Sequence, residues 1–280
     1  MNVALITAPY DSGHHGRRFG AGPGAILDAG LAGRLESCGH HVAVEGIGEV
    51  GDLFAAEIAT GFAVCRAVAA RVRTAAARGA FPIVIAGNCL TTVGAVAGEA
   101  ADAVMWFDQH GDFNTPETSA YGFLDGMALA CVVGRCWRPM TASVDGFRPV
   151  PEDRTVLVDA RDLDPDELVL LGRSAITRVA TDGAAGAAQT LRDRGTRSCH
   201  LHLDLDVHDP ADLRVNQYAA PGGPTRAALR EAVCRVAVLL PLAGMTVSAY
   251  DPALDRDAAV PEAVADLLVE CLATMDGCHA

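Results

Sequence analysis

Residues 103–116 read AVMWFDQHGDFNTP: five apolar residues, then Asp108, His110 and Asp112 at alternate positions. Residues 198–210 repeat the design as SCHLHLDLDVHDP, where an apolar run ends in Asp204 and Asp206. A short apolar run that breaks into polar, loop-forming residues is the mark of a strand buried in a parallel sheet. Ligands gather beyond the carboxyl ends of such strands, so the residues after each run carry the chemistry. A third run, Pro82–Ala86, leads into Gly87-Asn88-Cys89-Leu90-Thr91. Three of the four asparagines of the chain, Asn88, Asn114 and Asn216, fall in or near these segments.

Outward from these runs, strand candidates are Val3–Thr7, His41–Val44, Pro82–Ala86, Ala103–Phe107, Thr155–Val158, Ser198–Leu205 and Gly244–Ala249. Helix candidates alternate with them: Pro23–Cys38, Leu53–Arg78, Leu90–Glu99, Gly126–Val133, Pro165–Arg173, Ala184–Arg194, Thr225–Leu239 and Ala258–Met275. That alternation predicts an α/β domain with a mostly parallel sheet. Trp137–Arg154 is the most loop-like region. No repeat, low-complexity tract or long linker divides the chain, so 1–280 reads as one domain.

Composition narrows the function. The 280 residues hold 22 basic and 35 acidic side chains, a net charge of −13. Such a chain repels phosphate backbones and anionic membranes, so nucleic acid and membrane partners are excluded. Every basic residue is arginine, which removes Schiff-base chemistry and the ordinary P-loop, both of which need a lysine amine. The nine cysteines lack paired spacing and no basic leader precedes an apolar run, which predicts reduced thiols in a cytoplasmic protein. The longest uncharged stretch, Gly79–Gly98, contains proline, asparagine and several glycines, and reads as strand, turn and helix start rather than a membrane span.

On an extended segment Asp108, His110 and Asp112 leave by one face, roughly 6.6 Å from one to the next. Asp204 and Asp206 do the same on a second strand. Four carboxylates facing each other repel unless cations neutralise them. A pair of divalent ions does so, and oxygen-rich ligands with one imidazole favour manganese, with iron, cobalt or zinc as alternatives. A lone Asp-x-His-x-Asp is often a solvated turn; two acidic pairs, each directly after an apolar run, argue for a metal site.

The chain resembles the ureohydrolases, the arginase, agmatinase and formimidoylglutamase group. The resemblance rests on Trp106–Pro116, His202–Pro210, Gly87–Gly94 and Arg161-Asp162-Leu163-Asp164-Pro165, with weaker matches at Gly20–Leu27, Pro221-Gly222-Gly223 and Asp251-Pro252. It implies a three-layer αβα fold with a mostly parallel eight-stranded sheet, and two divalent ions, most often manganese. By motif position Asp108 and Asp204 bridge both ions, Asp112 binds one, and His110 and Asp206 the other. The ions activate water against a planar guanidine or amidine carbon of a small-molecule substrate, giving urea and an amine. Asn114 and Ser119 stand where the family holds a substrate carboxylate, and Asp164 where it meets the α-amino group; Asp162 and Asp164 equally suit helix caps before Pro165. Tyr121 and Phe123 imply a tighter, more aromatic pocket. The family also forms oligomers, so a homo-oligomer is expected.

Three positions depart from the family pattern. Cys89 stands where the first metal-ligating histidine belongs; it is a softer ligand that favours zinc, iron or cobalt, or else a buried thiol. Asp125 stands in place of a proton-shuttling histidine. Ala249 replaces a glutamate that pairs with the guanidinium, so Asp251 or Glu117 takes that role or the substrate group is less cationic, such as an N-hydroxyguanidine or a formimidoyl group. Asp108, Asp125 and Asp204 are thus the candidate catalytic residues. Hydrolysis of a guanidine or amidine bond leads, with a formimidoyl or amide bond as the alternative and a non-catalytic metal-binding relative as the other. His14, His15, His40 and His41 read as solvated, and His208 has no assigned role.

Overall fold

A computed structural model describes residues 1–11, 13–50 and 56–278. Eight strands form one sheet: β1 (Asn2–Ala8), β4 (His41–Gly46), β5 (Phe81–Ala86), β6 (Ala103–Phe107), β7 (Thr155–Val158), β8 (Thr177–Val179), β9 (Cys199–Asp204) and β10 (Leu242–Ser248). The order is β4-β1-β5-β10-β9-β6-β7-β8 and every pairing is parallel. A small antiparallel pair, β2 (Tyr10–Asp11) and β3 (His14–His15), follows β1. Seven sheet strands are marked by apolar runs. The eighth, β8, is a three-residue edge strand with two exposed residues, so it needs no apolar signature.

Helices cover both faces, completing three layers. On one face lie α1 (Gly22–Asp28), α2 (Leu31–Ser37), α8 (Ala184–Asp193), α9 (Arg226–Leu239) and α10 (Ala259–Cys278). On the other lie α3 (Glu57–Ala77), α4 (Thr92–Glu99), α5 (Ala128–Val132), α6 (Arg138–Thr141) and α7 (Pro165–Gly172). The single helix expected over Pro23–Cys38 is two, broken at Gly30, whose φ of 92° a helix interior cannot hold. The start expected at Leu53 falls outside the described residues; the helix runs from Glu57. Within the loop-like Trp137–Arg154 there is a short helix, α6. Among the described residues no helix is long and apolar enough to cross a membrane.

The strands alternate between the two cores. In β9, Cys199, Leu201 and Leu203 pack among α8, α9 and α10, which turns His200, His202 and Asp204 toward α4. In β6, Met105 and Phe107 take the first face, Val104 and Trp106 the second. Because all eight strands run parallel, every carboxyl end lies at one edge. The four central strands, β5, β10, β9 and β6, deliver Cys89, Ala249, Asp204 and Asp108 there side by side.

A candidate metal centre under an acidic cavity

The extended alternation expected for Asp108–Asp112 and Asp204–Asp206 is not what converges these side chains. β6 ends at Phe107 and β9 at Asp204, and each chain then folds over an aspartate. Asp108 Oδ1 accepts the His110 N–H at 2.7 Å, and Asp204 Oδ1 accepts the Asp206 N–H at 2.8 Å. Both are turns in which an aspartate caps the backbone two residues on. Asp112 completes its turn at φ 48°, and Asp159 and Ala249 at the same edge have φ of 71° and 67°. Left-handed backbone at non-glycine residues is stored where the surrounding structure enforces it, commonly at functional sites.

Two clusters of donor atoms result, each with all its atoms within 4.8 Å of one another. Asp108, His110 and Asp206 form one; His110 Nδ1 lies 3.4 Å from Asp108 and 3.5 Å from Asp206. Cys89, Asp108 and His202 form the other. Asp204 joins the second through the Cys89 thiol, which donates to its Oδ2 at 2.9 Å. Asp112 belongs to neither, but its buried Oδ2 has no hydrogen-bond partner, nor does Asp206 Oδ1 or His202 Nε2. Buried polar atoms without partners are costly, and three of them beside two donor clusters fit a site built for cations.

Electrostatics points the same way. Burial, then Asp108 and its neighbours, pushes the Asp112 carboxyl well above the ordinary range. Burial, then Asp206 and Asp108, does so for Asp204. Burial likewise raises Asp206 and drives the Cys89 thiol far up. Burial pulls on the His110 imidazole, but Asp206 and Asp108 outweigh it and lift it to about 10. A divalent ion bound there takes the place of these protons. Asp125 stands apart: its Oδ1 accepts from the Leu90 N–H and its Oδ2 from Asn88 Nδ2, each at 2.9 Å. Those bonds favour the carboxylate, yet burial outweighs them and sets its pKa at about 7.

Above the donors opens a cavity of about 620 Å³. Eight carboxylates line it: Glu57, Asp112, Asp125, Asp162, Asp164, Glu167, Asp204 and Asp206. Asn114, Ser119, Phe123 and Ala249 also face it. Asn114 Nδ2 donates to Asp164 Oδ2 at 3.0 Å, while Glu167 takes the Asp164 and Phe113 N–H groups, so Asp164 begins α7 and lines the cavity at once. Ser119 Oγ accepts from the Gly122 N–H. Tyr121 does not narrow the pocket as expected: it stands at the rim, 92 % exposed. Neither Glu117 nor Asp251 lines the cavity; Asp251 caps the turn at Pro252. His40 is buried against the amino terminus rather than solvated, and His208 bonds the Leu205 carbonyl.

Sequence reasoning missed four residues. Glu57 brings the cavity a carboxylate from α3, and Glu167 one from the first turn of α7. Arg161 ties the loops together, donating to the carbonyls of Val207 (3.1 Å) and Ala220 (2.9 Å), with longer contacts to those of Asp206 and His208. His202 was legible: it precedes Asp204 by two, continuing the same alternation backward along β9.

A sequence profile of the arginase family matches residues 1–274. An arginase of Bacillus caldovelox is 31% identical over 239 residues, covering 75% of this chain and 77% of that one. An N(omega)-hydroxy-L-arginine amidinohydrolase of Streptomyces lavendulae is 38% identical over 142 residues, 50% of this chain and 49% of that one. Among solved structures, an arginase from Bacillus cereus superposes with a TM-score of 0.87 at 26% identity, covering 97% of this chain and 98% of that one.

Proposed function

Because the chain belongs to the arginase family, we propose that it hydrolyses a C–N bond in the guanidine or amidine group of a small amino-acid-like substrate, an arginine or N-hydroxyarginine type of compound, releasing urea or a urea analogue. The observation that carries this reading is a cavity lined by eight carboxylates, with the ligand candidates Asp112, Asp204 and Asp206 at its floor and Glu57, Asp125, Asp162, Asp164 and Glu167 on its walls, a surface that suits cations below and a cationic substrate above.

Cys89, Asp108, His110, Asp112, Asp204 and Asp206 are the residues that would hold two divalent ions. Manganese suits the carboxylates, and zinc, iron or cobalt suit the thiol. When bound, such a pair polarises the substrate carbon and makes a nucleophile from water at neutral pH. The rest falls to the chain. Asp125, whose burial raises its carboxyl above the ordinary range in the metal-free chain, is the residue placed to accept and return a proton, the task of the family's shuttle histidine. Asp164 meets the substrate amino group, and Asn114 and Ser119 its carboxylate. Tyr121, at the rim, meets the outer end of the ligand.

Ala249 is buried and faces the cavity without a carboxylate. That favours an N-hydroxyguanidine over a fully charged guanidinium, and it supports a formimidoyl or amide bond as the second reading. Urea release from arginine, N-hydroxyarginine, agmatine, guanidinobutyrate and guanidinoacetate, with Asp108→Ala as control, tests the proposal. Urea from one compound, absent in the control, is the expected result. Silence across the panel by protein loaded with two ions moves the function to formimidoyl or amide substrates, and silence without bound ions to a non-catalytic relative.

A further inference from the structure

We propose that His202 is a metal ligand through Nε2, making the ion on the Cys89 side a sulfur–nitrogen–oxygen site that prefers zinc or cobalt(II) to manganese. The inference rests on the two-ion reading above and adds a donor that reading does not contain.

His202 projects from β9 on the same face as Asp204, two residues on, with Leu201 and Leu203 committed to the opposite core. Its ring stacks on Trp106 at 3.6 Å between centroids, and the Trp106 indole N–H reaches Asp108 Oδ2 at 3.1 Å. The stack holds the imidazole in a fixed plane against the residue that bonds Asp108. Nδ1 lies 2.7 Å from the Thr92 hydroxyl, which leaves Nε2 as the free nitrogen. The residue is wholly buried, yet that nitrogen has no hydrogen-bond partner. A donor atom of His202 lies within 4.8 Å of one from Cys89 and one from Asp108.

A ring nitrogen that bonds a hydroxyl while the other stays unpartnered, on a ring grouped with a thiol and a carboxylate, is the arrangement that metal-ligating histidines show, the outer bond fixing tautomer and plane. The alternative, an imidazole that only fills space, leaves a buried polar atom unsatisfied beside an unneutralised acidic cluster. The substitution at residue 89 thereby acquires a counterpart: the imidazole absent from the loop after β5 returns from β9, two strands away across β10. A thiolate with an imidazole selects zinc, cobalt or iron, whereas the Asp108, His110 and Asp206 cluster keeps the oxygen-rich character that suits manganese.

Full-length protein, stripped of metal and titrated with cobalt(II) and then zinc(II), tests this without reference to turnover. The wild type is expected to take up two ions by elemental analysis. Its cobalt form should show a sulfur-to-metal charge-transfer band, and X-ray absorption should show imidazole scattering from more than His110. His202→Phe keeps the stack on Trp106 and removes the nitrogen. It should bind one ion tightly and the other roughly 100-fold more weakly or worse, the charge-transfer band fading with the second. His202→Gln, which retains a polar group, should show the same loss and guards against a folding defect in the phenylalanine variant. Two ions bound with unchanged affinity in both variants would overturn the assignment while leaving the two-ion reading intact. A wild type that binds no ions would overturn both.

Discussion

Asp125 makes a quantitative demand on stability. Its carboxyl is 8 % exposed and its pKa rises from 3.8 to about 7, chiefly through burial. Between those values the folded state holds a proton that the unfolded chain has released, so stability falls as pH rises through 7. At pH 5 the folded carboxyl is about 99% protonated and the unfolded one only slightly, an advantage near 100-fold, or about 2–3 kcal/mol; at pH 8 that advantage is gone. Asparagine at this position does not titrate. Urea unfolding of metal-free wild type and Asp125→Asn across pH 5 to 8 should therefore show the wild type losing about 2–3 kcal/mol relative to the variant. Stability curves that run parallel in pH would mean an ordinary carboxylate at Asp125, and would remove its suitability as a proton relay near neutrality.

Two other perturbations separate architecture from chemistry. Arg161→Ala strips donors from the Asp206, Val207, His208 and Ala220 carbonyls. It should cost about 2–4 kcal/mol, seen as a drop in thermal midpoint, with weaker zinc binding in equilibrium dialysis; an unchanged midpoint would show that the loops hold themselves. Ala249→Glu restores a carboxylate at a φ the backbone already adopts. Its kcat/KM for arginine should rise roughly 10- to 100-fold relative to that for N-hydroxyarginine, the value of one charge-assisted pair; an unchanged ratio would locate guanidinium recognition at another carboxylate of the cavity, such as Glu57.

How much of the fold was legible depends on where burial leaves a trace. β6 and β7 match their apolar runs residue for residue, because both are buried on two faces and polar residues resume where burial ends. β8 leaves no trace, being a short edge strand with Thr177 and Arg178 exposed. Pro23–Cys38 reads as one amphipathic helix because both halves bury their apolar faces against the same core; only the backbone at Gly30 distinguishes two. The strand order is nonlocal. It is not contained in any run, and the family resemblance implied only a mostly parallel eight-stranded sheet.

The site was found by a rule that the structure satisfies for a different reason, and the difference explains His202. Alternation on an extended chain sends Asp108, His110 and Asp112 to one side, yet the chain past Phe107 is not extended. It is a turn clamped by Asp108 itself, so Asp108 and Asp204 each cap the backbone two residues on while standing among the candidate ion donors. Their outward convergence is set by which strands are neighbours, with β9 between β10 and β6. Alternation does hold where the chain is still strand, which is backward from Asp204 rather than forward. There it places His202 beneath the cluster and His200 beyond, held by Glu99 and Thr246. A motif read forward from a strand end finds the loops; the same period read back into the strand finds the floor on which they stand. At that floor a thiol, a carboxylate and an unpartnered imidazole meet, and the choice of metal follows from their chemistry rather than from the carboxylates above.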